Sequence, residues 1–293
     1  MRMKELGKLI GSGAAADVYE CGAGKVCKVY KTGGHGAASY EFGKLHEAHK
    51  CGALAPRPYS LTDVDGRPAI IMERVKGVSF LQELIAFLES CFARGLGNQE
   101  IFGSEIIQNQ IEITASTLAQ FHQHKCAMRE TSKIALQRGC QSNAYLLPEE
   151  KSAVMDLIDR LPDGDCLCHG DPNPGNFMRD GGIIRVIDWN NCVSGSFMHD
   201  VAEYVFTMRY ADVSLDWQPR TRAFLREFQD EFPRVFLDCY AGITGKDLSS
   251  LDDWKIPVLA AKMNGNNPAE KQERILRDIR SALGGLPARY GKN

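Results

Sequence analysis

Cys166-Leu167-Cys168-His169-Gly170-Asp171-Pro172-Asn173-Pro174-Gly175-Asn176-Phe177 decides how the rest of the chain is read, together with Ile187-Asp188-Trp189, whose Asp lies twelve residues beyond Asn176. The first stretch is a tight loop that presents an Asp and, five residues on, an Asn. Pro172 and Pro174 fix φ, and Gly175 permits a turn closed to other residues. Gly182-Ile183-Ile184-Arg185-Val186-Ile187 then reads as a short strand with a second Asp at its end. A lone Asp or Asn in a loop is ordinarily a turn former. Asp-x4-Asn, a hairpin-like return and Ile-Asp-Trp together form a compound pattern. It supplies a carboxylate to take a hydroxyl proton, and an amide and a carboxylate to hold Mg²⁺, which are the parts of a phosphoryl-transfer site.

His-Gly-Asp-x4-Asn followed by Ile-Asp-Trp resembles the aminoglycoside phosphotransferase and choline kinase family, relatives of the protein kinases. The resemblance implies an α+β, bilobal protein-kinase-like fold. Residues 1–76 would form a small, β-rich N-terminal lobe that binds nucleotide. Residues 77–293 would form a larger, mainly helical lobe for catalysis and acceptor binding. It further implies Asp171 as the base, Asn176 and Asp188 as metal ligands, ATP or GTP with Mg²⁺ as donor, and a small-molecule hydroxyl as acceptor.

Length and composition agree with such an enzyme. The 293 residues suffice for one large domain or two coupled lobes. Apolar content of 44% with 25% charged residues is that of an ordinary soluble globular protein. The apolar runs are far too short to span a bilayer, and the first residues have no signal-peptide core. A cytoplasmic monomer with no membrane or nucleic-acid partner is expected. The ten cysteines have no Cys-x-x-Cys spacing. Cys166 and Cys168 beside His169 lack the second ligand pair that a metal cluster needs, so reduced and partly buried thiols are expected. Charge is uneven: a basic excess of four up to Gly77, an acidic excess of ten over Val78–Ala261, and a basic excess of four from Lys262 on. A basic front suits a polyanion such as a nucleoside triphosphate. An acidic middle leans toward a cationic acceptor, although solvated faces of mixed charge explain it equally well.

From its start the chain fits the same scheme. Gly11-Ser12-Gly13-Ala14-Ala15-Ala16-Asp17-Val18 is a Gly-x-Gly turn between strand-like segments, whose small residues let N–H groups approach phosphates. Ala16 stands where the strict kinase loop has a third glycine. Lys25–Lys31 alternates as a strand, with Val26, Lys28 and Tyr30 on one face and Cys27 and Val29 on the other. Lys28 matches the kinase lysine that pairs with the α- and β-phosphates; Lys25 and Lys31 read as surface lysines. Gly33–Gly36 reads as a flexible link, and Ala38–His49 as a helix. On that helix Glu41 fits the family's lysine-holding acid, with Glu47 the alternative. Tyr59–Thr62 and Pro68–Glu73 form a hairpin about Asp65-Gly66. In the family the following connection bonds adenine through main-chain atoms: here the carbonyl of Glu73 and the N–H of Val75, with Met72 behind the base or plain core.

The remainder reads mainly as helix. One helix spans Leu81 to Phe92 and stops at Gly95. Ser104 caps another that ends in Leu118-Ala119-Gln120-Phe121-His122, where His122 resembles the family's brace of the catalytic loop. Further helices are expected over Pro148–Leu161, Arg220–Phe236, and from Asn267-Pro268 to Gly284-Gly285. Asp200-Val201-Ala202 matches the family's Asp-Leu-Ala, whose Asp steadies the catalytic loop. Only twelve residue steps separate Asp188 from Asp200, and no Ala-Pro-Glu follows. Gly170 replaces the arginine of His-Arg-Asp. These departures count against an atypical protein kinase. Lys28, Asp171, Asn176 and Asp188 are all in place, which counts against a catalytically dead nucleotide-binding scaffold. Asn173 stands where many protein kinases have a lysine two residues past the base.

Overall fold

The computed structural model describes residues 1–13, 15–32, 34–211, 216–263 and 268–284. Along the chain run β1 (Leu9–Ser12), β2 (Ala16–Glu20), β3 (Lys25–Tyr30), α1 (Gly34–Lys50), β4 (Pro58–Val64), β5 (Arg67–Glu73), β6 (Val78–Ser79) and α2 (Phe80–Ala93). Then come α3 (Asn98–Phe102), α4 (Glu105–Phe121), α5 (Ser132–Ser142), α6 (Pro148–Arg160), β7 (Cys166–Cys168), β8 (Phe177–Asp180), β9 (Ile183–Val186) and β10 (Val193–Gly195). The last helices are α7 (Met198–Arg209), α8 (Pro219–Glu227), α9 (Glu231–Thr244), α10 (Leu251–Lys262) and α11 (Ala269–Gly284). The architecture is mixed α+β, with the sheet in the N-terminal part and helices in the C-terminal part.

Two compact units result. One takes Met1–Glu83 and Pro174–Cys192, the other Leu84–Asn173 and the described residues from Val193 on. The first unit thus runs past residue 77, and residues 174–192 group with it. Hydrogen bonding explains this. β6 pairs with β8, β8 with β9, and the N–H of Val186 bonds the carbonyl of Leu54 at 3.0 Å.

In the first unit β1-β2-β3-β5-β4 form an antiparallel sheet. The alternation in β3 sends its two faces into separate apolar clusters. Tyr30 packs with Ala16, Ala38 and Ile70; Cys27 and Val29 pack with Val64 and Ala69. The hairpin turns at Asp65 and Gly66, both with positive φ. The link expected over Gly33–Gly36 is, from Gly34 on, the first turn of α1, whose Ala38, Glu41 and Leu45 are buried. Burial of that face outweighs the poor helix propensity of glycine. Gly33 lies outside the described residues.

Gly77 shows how closely β6 approaches β8. Its φ is +93°, and a Cβ there would lie 1.9 Å from the carbonyl oxygen of Arg179. Both features exclude any side chain. Gly77→Ala is expected to cost about 2–4 kcal/mol in denaturant unfolding; unchanged stability would mean that this approach is misplaced.

The second unit is helical. α4 packs along α9, and α10 against α5, α6 and α7. β7 and β10 form a short antiparallel pair. Ser104 occupies the N-cap position of α4, but its side chain makes no cap hydrogen bond. The single helix expected over Arg220–Phe236 is two, α8 and α9. Pro233 has no N–H to give Gln229, and its ring would clash with that carbonyl in a continuous helix. The break also lets Phe228 stack on Phe102 at 4.4 Å while Phe232 meets the same ring edge-on at 5.2 Å. Asn267 and Gly285, expected at the ends of the last helix, lie outside the described residues.

Candidate active site

Within the first unit, the turn between β1 and β2 closes through the N–H of Gly13, which bonds the carbonyl of Ala16 at 2.9 Å. Lys31, expected to be a surface lysine, ties this turn down. Its ammonium contacts Asp17 at 2.8 Å and donates to the carbonyl of Gly13 at 2.9 Å and the hydroxyl of Ser12 at 3.0 Å. The hydrogen bonds from Lys31 and Ser12 hold the Asp17 carboxyl below its ordinary value. Ala14, in the same turn, lies outside the described residues.

Beside the turn, the Lys28 ammonium meets Glu41 Oε1 at 2.6 Å and Asp188 Oδ1 at 3.5 Å. The acid left open between Glu41 and Glu47 is thus Glu41. Its second oxygen accepts from the Tyr30 hydroxyl. Tyr30 shares the Lys28 face of β3, two residues on, so alternation marked the position though not the partner. Burial drives the Lys28 ammonium toward neutrality, but Asp188 and Glu41 together raise its pKa above the ordinary value. Helix α1 is itself anchored: buried Lys44 donates to the carbonyl of Cys192 at 2.5 Å, and the Cys192 thiol lies 3.4 Å from the carbonyl of Lys44.

The strand return carries the last pair. The N–H of Ile187 bonds the carbonyl of Asn176 at 2.9 Å, which sets Asn176 beside the end of β9. Asp188 follows in the left-handed region, at φ 63° and ψ 58°, a conformation in which Asp is enriched among non-glycine residues. Gly11, Gly13, Lys28, Glu41, Met72, Glu73, Val75, Asn176 and Asp188 all line one cleft of about 1110 Å³. That volume is ample for a nucleoside triphosphate. The Glu73 carboxylate is held by Arg185 at 2.6 Å and by the N–H of Arg57 at 2.9 Å. Asn176 and Asp188 offer hard oxygen donors in the same cleft, a set that suits Mg²⁺.

In the second unit the loop after β7 is held by Asp200. Its carboxylate accepts from the N–H groups of His169 and Gly170, both at 2.7 Å. Gly170 has φ +77°, so the residue in place of the kinase arginine is one that this backbone requires. His122 lies 3.3 Å from Asp200 Oδ2 through Nε2 and 2.7 Å from the Tyr240 hydroxyl through Nδ1. Burial pushes the Asp200 carboxyl up, but the hydrogen bond and charge of His122, with His199 and His169, bring it below its ordinary value. Among the described residues, His122, Cys168 and Asp200 are the group with metal-ligand atoms mutually within 4.8 Å. Asp200 is already engaged by both amides and by His122, so this group is a brace of the loop.

The loop presents Asp171. Its Oδ1 lies 3.4 Å from the Lys262 ammonium and its Oδ2 3.1 Å from the Asn173 amide. Lys262 also lies 2.6 Å from buried Glu203. Glu203 had a weak signal, three residues past Asp200 on one helix. Lys262 had none, because nothing local in the sequence ties α10 to the loop.

Comparison with known proteins shows likeness at the level of the fold. An aminoglycoside-3'-phosphotransferase of type VIII superposes with a TM-score of 0.57 at 17% identity, covering 87% of this chain and 91% of that one. A choline/ethanolamine kinase family protein from Mesorhizobium loti gives 0.57 at 13%, covering 96% and 88%. The amicoumacin kinase hAmiN, in complex with AMP-PNP, Ca²⁺ and Ami, gives 0.54 at 14%, covering 97% and 90%. At these identities the likeness is one of fold. Comparison with curated proteins gives no match. The sequence profile of the phosphotransferase enzyme family matches residues 7–235, and with this extent of match the chain belongs to that family.

Proposed function

We propose that this protein transfers the γ-phosphate of a nucleoside triphosphate, ATP or GTP, to a hydroxyl of a small molecule. The observation that carries the proposal is the cluster of Lys28, Glu41 and Asp188 in a cleft also lined by Gly11, Gly13 and Asn176. Lys28 would neutralise phosphate charge, with Glu41 and Tyr30 fixing its position. The main chain of Glu73 and Val75 would receive the base. Asn176 and Asp188 would hold Mg²⁺, which when bound offsets the charge on the phosphates. The acceptor hydroxyl gives its proton to the Asp171 carboxylate as its oxygen lone pair forms the new bond to the γ-phosphorus. The bond from that phosphorus to the β–γ bridging oxygen breaks, and its electron pair leaves with the nucleoside diphosphate. The proton on Asp171 then passes to solvent. Most of the acceleration comes from positioning and charge neutralisation.

The solved relatives support a small-molecule acceptor. Their names specify aminoglycoside, choline or ethanolamine and amicoumacin chemistry. The short run from Asp188 to Asp200 argues against a polypeptide acceptor. A cytoplasmic monomer accords with this reading, and among the described residues no helix is long and apolar enough to cross a membrane. The test is a panel of aminoglycosides, other antibiotics, amino alcohols and sugars, each incubated with ATP or GTP and Mg²⁺. Nucleoside diphosphate release should depend on one acceptor class, with the phosphate recovered on it. Expression in a susceptible host would add a resistance readout. Phosphate recovered on a generic protein mixture, or no release across the panel, would overturn the proposal.

A further inference from the structure

We propose that Lys262, at the end of α10, is the positioning cation for Asp171: its ammonium holds the carboxylate that receives the acceptor's proton, while Glu203 takes up the rest of its charge. The proposal rests on the reading of Asp171 as the base. Both carboxylate oxygens of Asp171 are engaged, Oδ1 by Lys262 at 3.4 Å and Oδ2 by Asn173 at 3.1 Å. Two such contacts fix the plane of a side chain that is 28% exposed and could otherwise rotate. Asn173 brings no charge, although it stands where many protein kinases carry a lysine. Lys262 brings that charge from 91 residues away in sequence.

Glu203 sets how strongly Lys262 acts. It is 4% exposed, on α7, and 2.6 Å from the ammonium. Attraction falls with distance, so Lys262 is pulled harder toward Glu203 than toward Asp171. A shared lysine keeps Asp171 charged without binding it so tightly that it ceases to act as a base. The titrations agree with this geometry. Burial pushes Asp171 up, but Lys262 first, then His169 and Asn173, bring it below its ordinary value. Burial pushes Glu203 up, to about 7, against the pull of Lys262.

A half-buried lysine that serves only to neutralise Glu203 would have the same contacts, so the experiment separates the two roles. The full chain is labelled with aspartate carrying ¹³C in its side-chain carboxyl, and the Asp171 resonance is identified by its loss in Asp171→Asn. Lys262→Met and the double variant Lys262→Met with Glu203→Gln are titrated beside the wild type, without nucleotide or acceptor. The double variant removes both charges and avoids leaving Glu203 buried and unpaired. In it the Asp171 midpoint is expected to rise by about one pH unit or more, a tenfold change in proton affinity. A midpoint equal to wild type in the folded double variant would overturn the proposal and leave Lys262 as the counter-charge of Glu203 alone. Proton uptake at Asp171 is read whether or not phosphate is ever transferred, so failure of the phosphotransferase reading would show separately, in the acceptor panel.

Discussion

Replacing Asp171 by alanine is expected to leave nucleotide binding intact and to slow acceptor-dependent turnover on the order of 10²–10⁴-fold, the range of general-base assistance. The two effects separate because nucleotide and metal binding are assigned to Lys28, Asn176 and Asp188 of the first unit, whereas Asp171 belongs to the second. The fold should survive the change, since Lys262 keeps its closer partner, Glu203, at 2.6 Å. Asp171→Asn is the stricter variant. It preserves the shape and one acceptor oxygen but cannot take a proton. The measurement is kcat beside the dissociation constant of ATP, obtained by calorimetry. Turnover within a few-fold of wild type in both variants would remove Asp171 from the mechanism.

The second large effect is expected at Asp188. Asn is the informative substitution, because it tolerates the left-handed backbone at φ 63° about as well as Asp and so isolates the charge. Without that charge, divalent-cation-dependent tightening of nucleotide binding should fall on the order of 10³-fold, the equivalent of the several kcal/mol that metal-assisted charge neutralisation supplies. Lys28 loses the charge of its 3.5 Å partner but keeps Glu41 at 2.6 Å, so the cleft should stay formed. Nucleotide affinity measured with Mg²⁺ and with chelator should become nearly equal in Asp188→Asn. If Mg²⁺ still tightened binding as in wild type, the metal would have to be held elsewhere.

Short-range spacing carried most of what could be read beforehand. Asp171, Asn176 and Asp188 lie within one loop and one strand return, and Lys28 is marked by the alternation of its own strand. Glu41 and Glu47 share a helix, so choosing between them needed the position of that helix against β3. Lys262 was invisible for a stronger reason: its place beside Asp171 depends on how α10 packs on α5, α6 and α7, and packing of remote helices leaves no periodic trace. The break between α8 and α9 was legible in Pro233 but was overridden by the apolar pattern around it. The grouping of residues 174–192 with the first unit rests on pairing of β6 with β8, two strands about a hundred residues apart.

The stretch from Asp188 to Asp200 has a regulatory consequence. Its two hydroxyl side chains, Ser194 and Ser196, are 4% and 6% exposed; Ser194 lies within β10 and Ser196 just beyond it, and β10 is hydrogen-bonded along its length to β7. A modifying enzyme finds no handle there, and no slack that an added charge could pull into a new shape. Modification of either serine would then need local unfolding of this stretch first.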